Sequence, residues 1–174
     1  RLAQAFPHHH ILGVDRSEVR LSKKFAQPQD PLFQLNKDSD HSRIHFIRAE
    51  LSDFWRLLLQ YQLLPNHHFI LYPNPYPKKT QLNKRFHGSI SLQNILQICP
   101  KLELRSNWPI YLEEFKEAAS ICAQEMINLS SHSVKSFSQG RQKTLVLTLE
   151  TCMTHFERKY YASEQELFQL TFSP

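Results

Sequence analysis

A chain of 174 residues, 41% hydrophobic and 21% charged, has the make-up of one globular domain and enough apolar sequence to bury a core. No apolar run approaches the ~20 residues of a membrane helix, and Cys99, Cys122 and Cys152 are odd in number and lack metal spacing. A membrane span and a disulfide scaffold are therefore not expected, and a reducing cytoplasm is; the formal net charge of +5 admits an anionic partner without singling one out.

The chain opens on Arg1, in what reads as the end of a helix (Leu2, Ala3, Phe6) running into a strand, the pattern of a fragment. Ile11 to Val14 is a short continuous apolar run ending at Asp15, as expected of a strand buried on both faces. Ser17 to Lys24 suits a helix, and the polar stretch from Gln27 to Ser42, with Pro28 and Pro31, reads as a loop. A second strand is predicted over Ile44 to Arg48. Ser52 then caps a helix whose apolar face is Phe54, Leu57, Leu58 and Tyr61, stopped by Pro65. A third strand, His68 to Tyr72, runs into Pro73-Asn74-Pro75-Tyr76-Pro77, followed by a polar, basic connection to Gly88. A short helix carries Leu92, Ile95 and Leu96, and Lys101 to Ser106 is the fourth strand. From Pro109 the spacing predicts a long helix with Leu112, Phe115, Ala119, Cys122, Met126 and Leu129 on one side. Leu145 to Leu149 and Leu167 to Phe172 read as closing strands. Strands alternating with helices imply one α/β domain over 1–174 with a doubly wound, mostly parallel sheet.

In such sheets ligands collect beyond the carboxyl ends of the strands, where Asp15, Glu50, Asn74 and Asn107 fall. An acidic side chain just past a buried strand can accept from both hydroxyls of a ribose, which suits Asp15; it can equally cap the following helix. Three prolines fix the backbone around Asn74 and Tyr76, leaving an amide and a ring projecting from a stiff turn, as a pocket for a flat, hydrogen-bonding base requires. A plain proline-rich turn fits as well. Lys78, Lys79, Lys84, Arg85 and His87 follow at once and could hold phosphates around a target nucleotide, or form a solvated surface. His8-His9-His10 and His67-His68 alternate faces and have no partner at metal spacing, so no metal site is expected.

Four motifs in order, Gly13-Val14-Asp15, Pro73-Asn74-Pro75-Tyr76-Pro77-Lys78, Asn107-Trp108 with Tyr111, and Thr154-His155-Phe156-Glu157, give the chain a resemblance to the bacterial tRNA (guanine-N(7))-methyltransferases. The resemblance covers nearly the whole chain. It implies a Rossmann-like class I fold that uses S-adenosylmethionine and methylates a guanine in the variable loop of tRNA; the choice between monomer and homodimer stays open. By that resemblance Asp15 and Glu50 contact the cofactor, and Asn74 takes the position of the family's proposed catalytic aspartate beside it. Lys78, Asn107, Thr154, His155, Phe156 and Glu157 match substrate-binding positions. Asn74 and Asn107 stand where the family has aspartate, and Tyr76 where it has tryptophan. The family's first strand and glycine-rich loop have no counterpart here, so the intact protein is expected to carry them upstream of Arg1, and this stretch alone to bind the cofactor weakly. Two other readings remain open: methylation of an exocyclic amine of adenine or cytosine, for which Asn-Pro-Tyr would serve, and a noncatalytic RNA- or partner-binding scaffold.

Overall fold

The computed structural model describes residues 2–25, 43–98, 101–128 and 141–173, and the chain divides into two units, Arg1–Phe54 and Trp55–Pro174. In the first, a short helix α1 (Leu2–Ala5) leads to strand β1 (Ile11–Asp15), helix α2 (Glu18–Phe25) and strand β2 (Ile44–Arg48). The two strands pair in parallel with Asp15 opposite Arg48, and α2 packs against both. Leu12 is 47% exposed, which corrects the reading of a strand buried on both faces: among the described residues of this unit, the ribbon has α2 packed against it. A Cβ at Gly13 would lie 2.8 Å from the ring of its strand partner Phe46, so a larger residue there would have to displace that ring. The loop read over Gln27 to Ser42 lies outside the described residues, as do Cys99 and Leu129.

Helix α3 (Leu51–Gln60) carries the chain into the second unit. It ends before Pro65, at Gln62 in the left-handed region (φ 55°), with Leu63 N–H donating to the Leu58 carbonyl and Gln62 N–H to the Leu59 carbonyl. That pair of bonds satisfies the helix's last carbonyls without a glycine. The face predicted from Phe54, Leu57, Leu58 and Tyr61 is corrected, because Trp55 is the buried residue while Leu57 and Tyr61 face solvent.

The second unit continues with β3 (His68–Leu71), two 3-10 turns (Lys79–Lys84 and Phe86–Gly88), α4 (Ser91–Ile98), β4 (Leu102–Ser106), α5 (Pro109–Asn128), β5 (Arg141–Val146), α6 (His155–Ala162) and β6 (Phe168–Ser173). The sheet order is β3-β4-β6-β5. Only β3 and β4 are parallel here; β6 runs antiparallel to both β4 and β5, which departs from the mostly parallel expectation in this half. The closing strands also shift, since β5 begins at Arg141 rather than near Leu145. Pro109 opens α5, where its missing N–H has no intrahelical partner to lose. Leu112, Phe115, Ala119 and Ala123 form the buried stripe of α5; Cys122 and Met126, one residue around from it, are only partly covered. With Leu104, Leu170 and Ile95 they make the core of this unit.

Two close contacts in this unit yield testable consequences. A Cβ on Gly88 would sit 2.3 Å from the backbone carbonyl of Leu82, so Gly88→Ala forces the two 3-10 turns apart. A loss of ~1–3 kcal/mol is expected in urea denaturation. His68 accepts at Nε2 from the Trp55 indole N–H at 3.2 Å, the rings meeting edge-on at 5.7 Å. Burial lowers the His68 pKa from 6.5 to about 4. The unfolded chain takes that proton near pH 6.5 and the folded one does not, so stability is full above 6.5 and declines as the pH falls toward 4. The decline from this group should reach ~2–3 kcal/mol and should vanish in His68→Gln. Midpoints measured between pH 7.5 and 4 check it; an equal decline in the variant would assign the effect elsewhere.

Candidate functional site

The carboxyl ends of the strands gather the side chains singled out from sequence. In the first unit, Asp15 ends β1 and Glu50 follows β2 by two residues, on neighbouring parallel strands whose chains stay joined there by Ala49 N–H to the Asp15 carbonyl at 3.3 Å. Asp15 Oδ1 accepts from Ser17 N–H at 2.8 Å, and Oδ2 meets Arg20 Nη1 at 3.3 Å. Its side chain therefore fastens the turn into α2, as one of the two sequence readings had it, while remaining about a third exposed. Glu50 is more open: its side chain meets Arg16 at 3.8 Å, and its carbonyl accepts from Phe54 N–H in the first turn of α3. Exposed pairs of this kind contribute little stability, so both carboxylates can exchange their arginines for a ligand hydroxyl.

In the second unit the turn after β3 stands out. Tyr72 N–H donates to the Arg105 carbonyl at 2.9 Å, which continues the pairing of β3 with β4 one residue past Leu71. The backbone then enters the left-handed region at Tyr72 (φ 53°) and again at Tyr76 (φ 43°), on either side of Pro73-Asn74-Pro75. Non-glycine residues held there carry strain of ~1–3 kcal/mol each, sustained only where surrounding contacts fix the backbone. Asn74 is exposed at the crest, and its Oδ1 accepts from Tyr76 N–H at 3.3 Å. The amide nitrogen, which carries the two donors, has no partner among the described residues. Lys78 is also exposed, and Asn107 is half-buried one residue beyond the end of β4.

Two ion pairs hold that turn, one buried on both sides and one with its carboxylate partly exposed. At its start, the Tyr72 hydroxyl donates to Glu157 Oε1 at 2.8 Å, and Arg105 Nη1 donates to the same oxygen at 2.7 Å. Glu157 Oε2 accepts from the backbone N–H groups of Thr154 (2.6 Å) and Met153, and Glu157 N–H donates to Thr154 Oγ1 at 3.1 Å. Thr154 and Glu157 thus form the reciprocal cap of α6. Arg105 also reaches Glu103 at 2.6 Å and the Thr151 carbonyl at 2.9 Å. Burial alone would raise the Glu157 pKa, but hydrogen bonds from Arg105, Tyr72 and Thr154 hold it below the usual carboxylate value. Burial pushes the Tyr72 hydroxyl far up, and its bond to Glu157 adds to the shift. At the turn's other end, Arg85 donates from Nε (3.2 Å) and Nη2 (3.1 Å) to the Tyr76 carbonyl and from Nη1 to Glu114. His87 Nε2 meets the same Glu114 oxygen at 3.1 Å. Burial lowers the His87 pKa against the opposing pull of Glu114.

The structure brings some of the expected substrate residues together and separates others by role. Thr154 and Glu157 face each other in the cap, and Glu157 is fully buried with both oxygens occupied by protein donors. His155 is exposed, its Nδ1 3.4 Å from Arg158. Phe156 lies against the Tyr72 ring at 4.5 Å and the Tyr160 ring at 4.1 Å and remains 38% exposed, an aromatic surface beside the turn. Arg85 and His87, read as phosphate-facing or solvated, are buried instead. Arg105 and Tyr72 carry roles that sequence reading missed. Thr-x-x-Glu ahead of a helix was the signal that could have placed Glu157 in a cap.

Among the described residues no helix is long and apolar enough to cross a membrane, and no group of three or more His, Cys, Asp or Glu could hold a metal ion. No family model and no curated protein matches the chain. Solved structures do. SMU.776, described as a possible methyltransferase and solved in complex with SAH, superposes with a TM-score of 0.50 at 11% identity over 92% of this chain and 38% of that one. A second structure, described as a possible SAM-dependent methyltransferase from Streptococcus mutans, gives 0.46 at 12% identity with the same coverage. This chain thus spans 38% of the length of each. The fold is α/β and Rossmann-like, with strands feeding ligand-side loops at their carboxyl ends.

Proposed function

We propose that the chain belongs to a cytoplasmic S-adenosylmethionine-dependent methyltransferase that modifies N7 of a guanine in the variable loop of tRNA. One observation carries the reading: a proline-stiffened turn, anchored at both ends, presents the Asn74 amide beyond the carboxyl end of β3. The donor set of the first unit supports the cofactor. Asp15 and Glu50 are open carboxylates beyond adjacent parallel strands, the chemistry that accepts from ribose hydroxyls and the adenosine they carry. When bound, that cofactor supplies an electrophilic methyl group.

The nucleophile needs little help. Guanine N7 has a lone pair in the ring plane and no proton to lose, so no general base is required. What the protein contributes is orientation, and holding reactants in line can supply several kcal/mol of the barrier, up to ~7–11. Beside N7 a guanine carries O6, an acceptor. With its oxygen engaged by Tyr76 N–H, Asn74 turns its amide donors outward, complementary to O6. An exocyclic amine of adenine or cytosine would instead need Asn74 as an acceptor, through an oxygen of which Tyr76 N–H already takes one lone pair. That favours guanine over the amine-methylating alternative. Phe156 and Lys78 add an aromatic surface and a cation for a neighbouring base and phosphate.

Incubating the full-length gene product with labelled cofactor and tRNA from cells lacking N7 methylation should yield labelled 7-methylguanosine after digestion. Asn74→Ala should slow that transfer ~10-fold or more at saturating substrate. Labelled N6-methyladenosine or N4-methylcytidine would move the assignment to amine methylation. No label, with tRNA still bound, would leave a noncatalytic scaffold, a reading that asparagine at 74 and 107 would then favour.

A further inference from the structure

The Pro73–Pro75 turn is held at one end through the Tyr72 side chain and at the other through a backbone carbonyl. The second anchor is the less expected. Arg85 is nearly buried, directs two of its donor nitrogens at one acceptor, the Tyr76 carbonyl, and reserves the third for Glu114. His87 meets the same Glu114 oxygen through Nε2 at 3.1 Å. Tyr76 is the residue whose left-handed backbone brings its N–H back onto Asn74 Oδ1. The chain of contacts therefore runs from Glu114 through Arg85 and the Tyr76 peptide to the Asn74 amide.

We infer that Arg85 is a positioning residue: with Glu114 it fixes the Tyr76 peptide and thereby aims the Asn74 amide at the substrate base. The inference rests on the methyltransferase reading above. Arg85 lies in a basic run, yet its burial excludes it from contact with a bound polyanion, so its effect is on geometry and not on the charge that tRNA meets. A lysine at this position could satisfy Glu114 or the carbonyl but has no rigid fork to hold both.

Removing Arg85 alone leaves the partly exposed Glu114 with His87 as its partner, so the informative variant is Arg85→Met combined with Glu114→Met, which exchanges the ion pair for apolar side chains of similar length. In the full-length gene product this double variant should keep its unfolding midpoint near that of the parent. Its kcat for methyl transfer to tRNA should fall ~10–100-fold while KM for tRNA changes by less than about threefold. Arg85→Lys should fall between the two in kcat. Exchange of the Tyr76 amide, followed by NMR, should quicken at least ~10-fold in the double variant as its bond to Asn74 loosens. A folded double variant with parental kcat would overturn the inference, and so would a rise in KM at constant kcat, which marks lost binding. Should the parent transfer no methyl group, the methyltransferase reading fails on that result, and the exchange rate of the Tyr76 amide decides the positioning claim by itself.

Discussion

Replacing Glu157 with alanine is expected to destabilise the second unit by ~3–5 kcal/mol, the largest effect of any polar substitution in the described structure. The carboxylate is fully buried and is the meeting point of Arg105, the Tyr72 hydroxyl and two backbone N–H groups at the start of α6. Its loss leaves a guanidinium with 1% of its side-chain surface exposed to find its compensation in Glu103 alone. It also removes the reciprocal cap of α6 and the tether on Tyr72. Glu157→Gln keeps the shape and an acceptor for Tyr72, so it should cost less, ~1–3 kcal/mol. Adding Arg105→Met to Glu157→Ala should recover part of the loss, because the unpaired charge is then gone. Urea midpoints for the parent, Glu157→Ala, Arg105→Met and the double variant give the coupling energy. A Glu157→Ala variant within ~1 kcal/mol of the parent would mean that the network is not built this way.

Trp55→Ala should also cost ~3–5 kcal/mol, against less than ~0.5 kcal/mol for Tyr61→Ala, one residue past the end of the same helix. Trp55 is 2% exposed, with its ring edge-on to Phe86 at 4.9 Å and its N–H on His68. Tyr61 is 65% exposed. Thermal or urea unfolding of the two variants, each made singly, tests which face of α3 is packed. Comparable losses from both would return the buried face to the one predicted from spacing.

That contrast shows where the sequence was legible and where it was not. The strands could be read because each is a short apolar run closed by a turn residue or charge: Ile11 to Asp15, Ile44 to Arg48 and His68 to Leu71 are found within a residue of expectation. Helix α3 carries apolar side chains around most of its circumference, at Leu51, Phe54, Trp55, Leu57, Leu58 and Leu59, so periodicity could fix the helix but not choose its buried side. The turn at Asn74 was legible from its prolines. Its anchors were not, because Arg85 finds Glu114 29 residues away and Arg105 finds Glu157 52 residues away, and spacing along the chain does not pair residues so far apart. Glu157 was recognised as important, through the stretch it shares with a known family, while the cap it completes gives it a job inside the protein.

The position of β6 has a consequence for how the protein is made. Residues 168–173 sit between β4 and β5 and pair with both, so neither neighbour has its hydrogen bonds complete until that segment has been synthesised. A growing chain that has released β3, β4 and α5 from the ribosome offers β4 as an open strand edge with apolar Leu102 and Leu104 beside it, and such edges template association with other chains. Synthesis pauses or frameshifts upstream of residue 168 should therefore yield aggregates rather than partly active protein, and holding the nascent chain apart until β6 arrives becomes work for a chaperone.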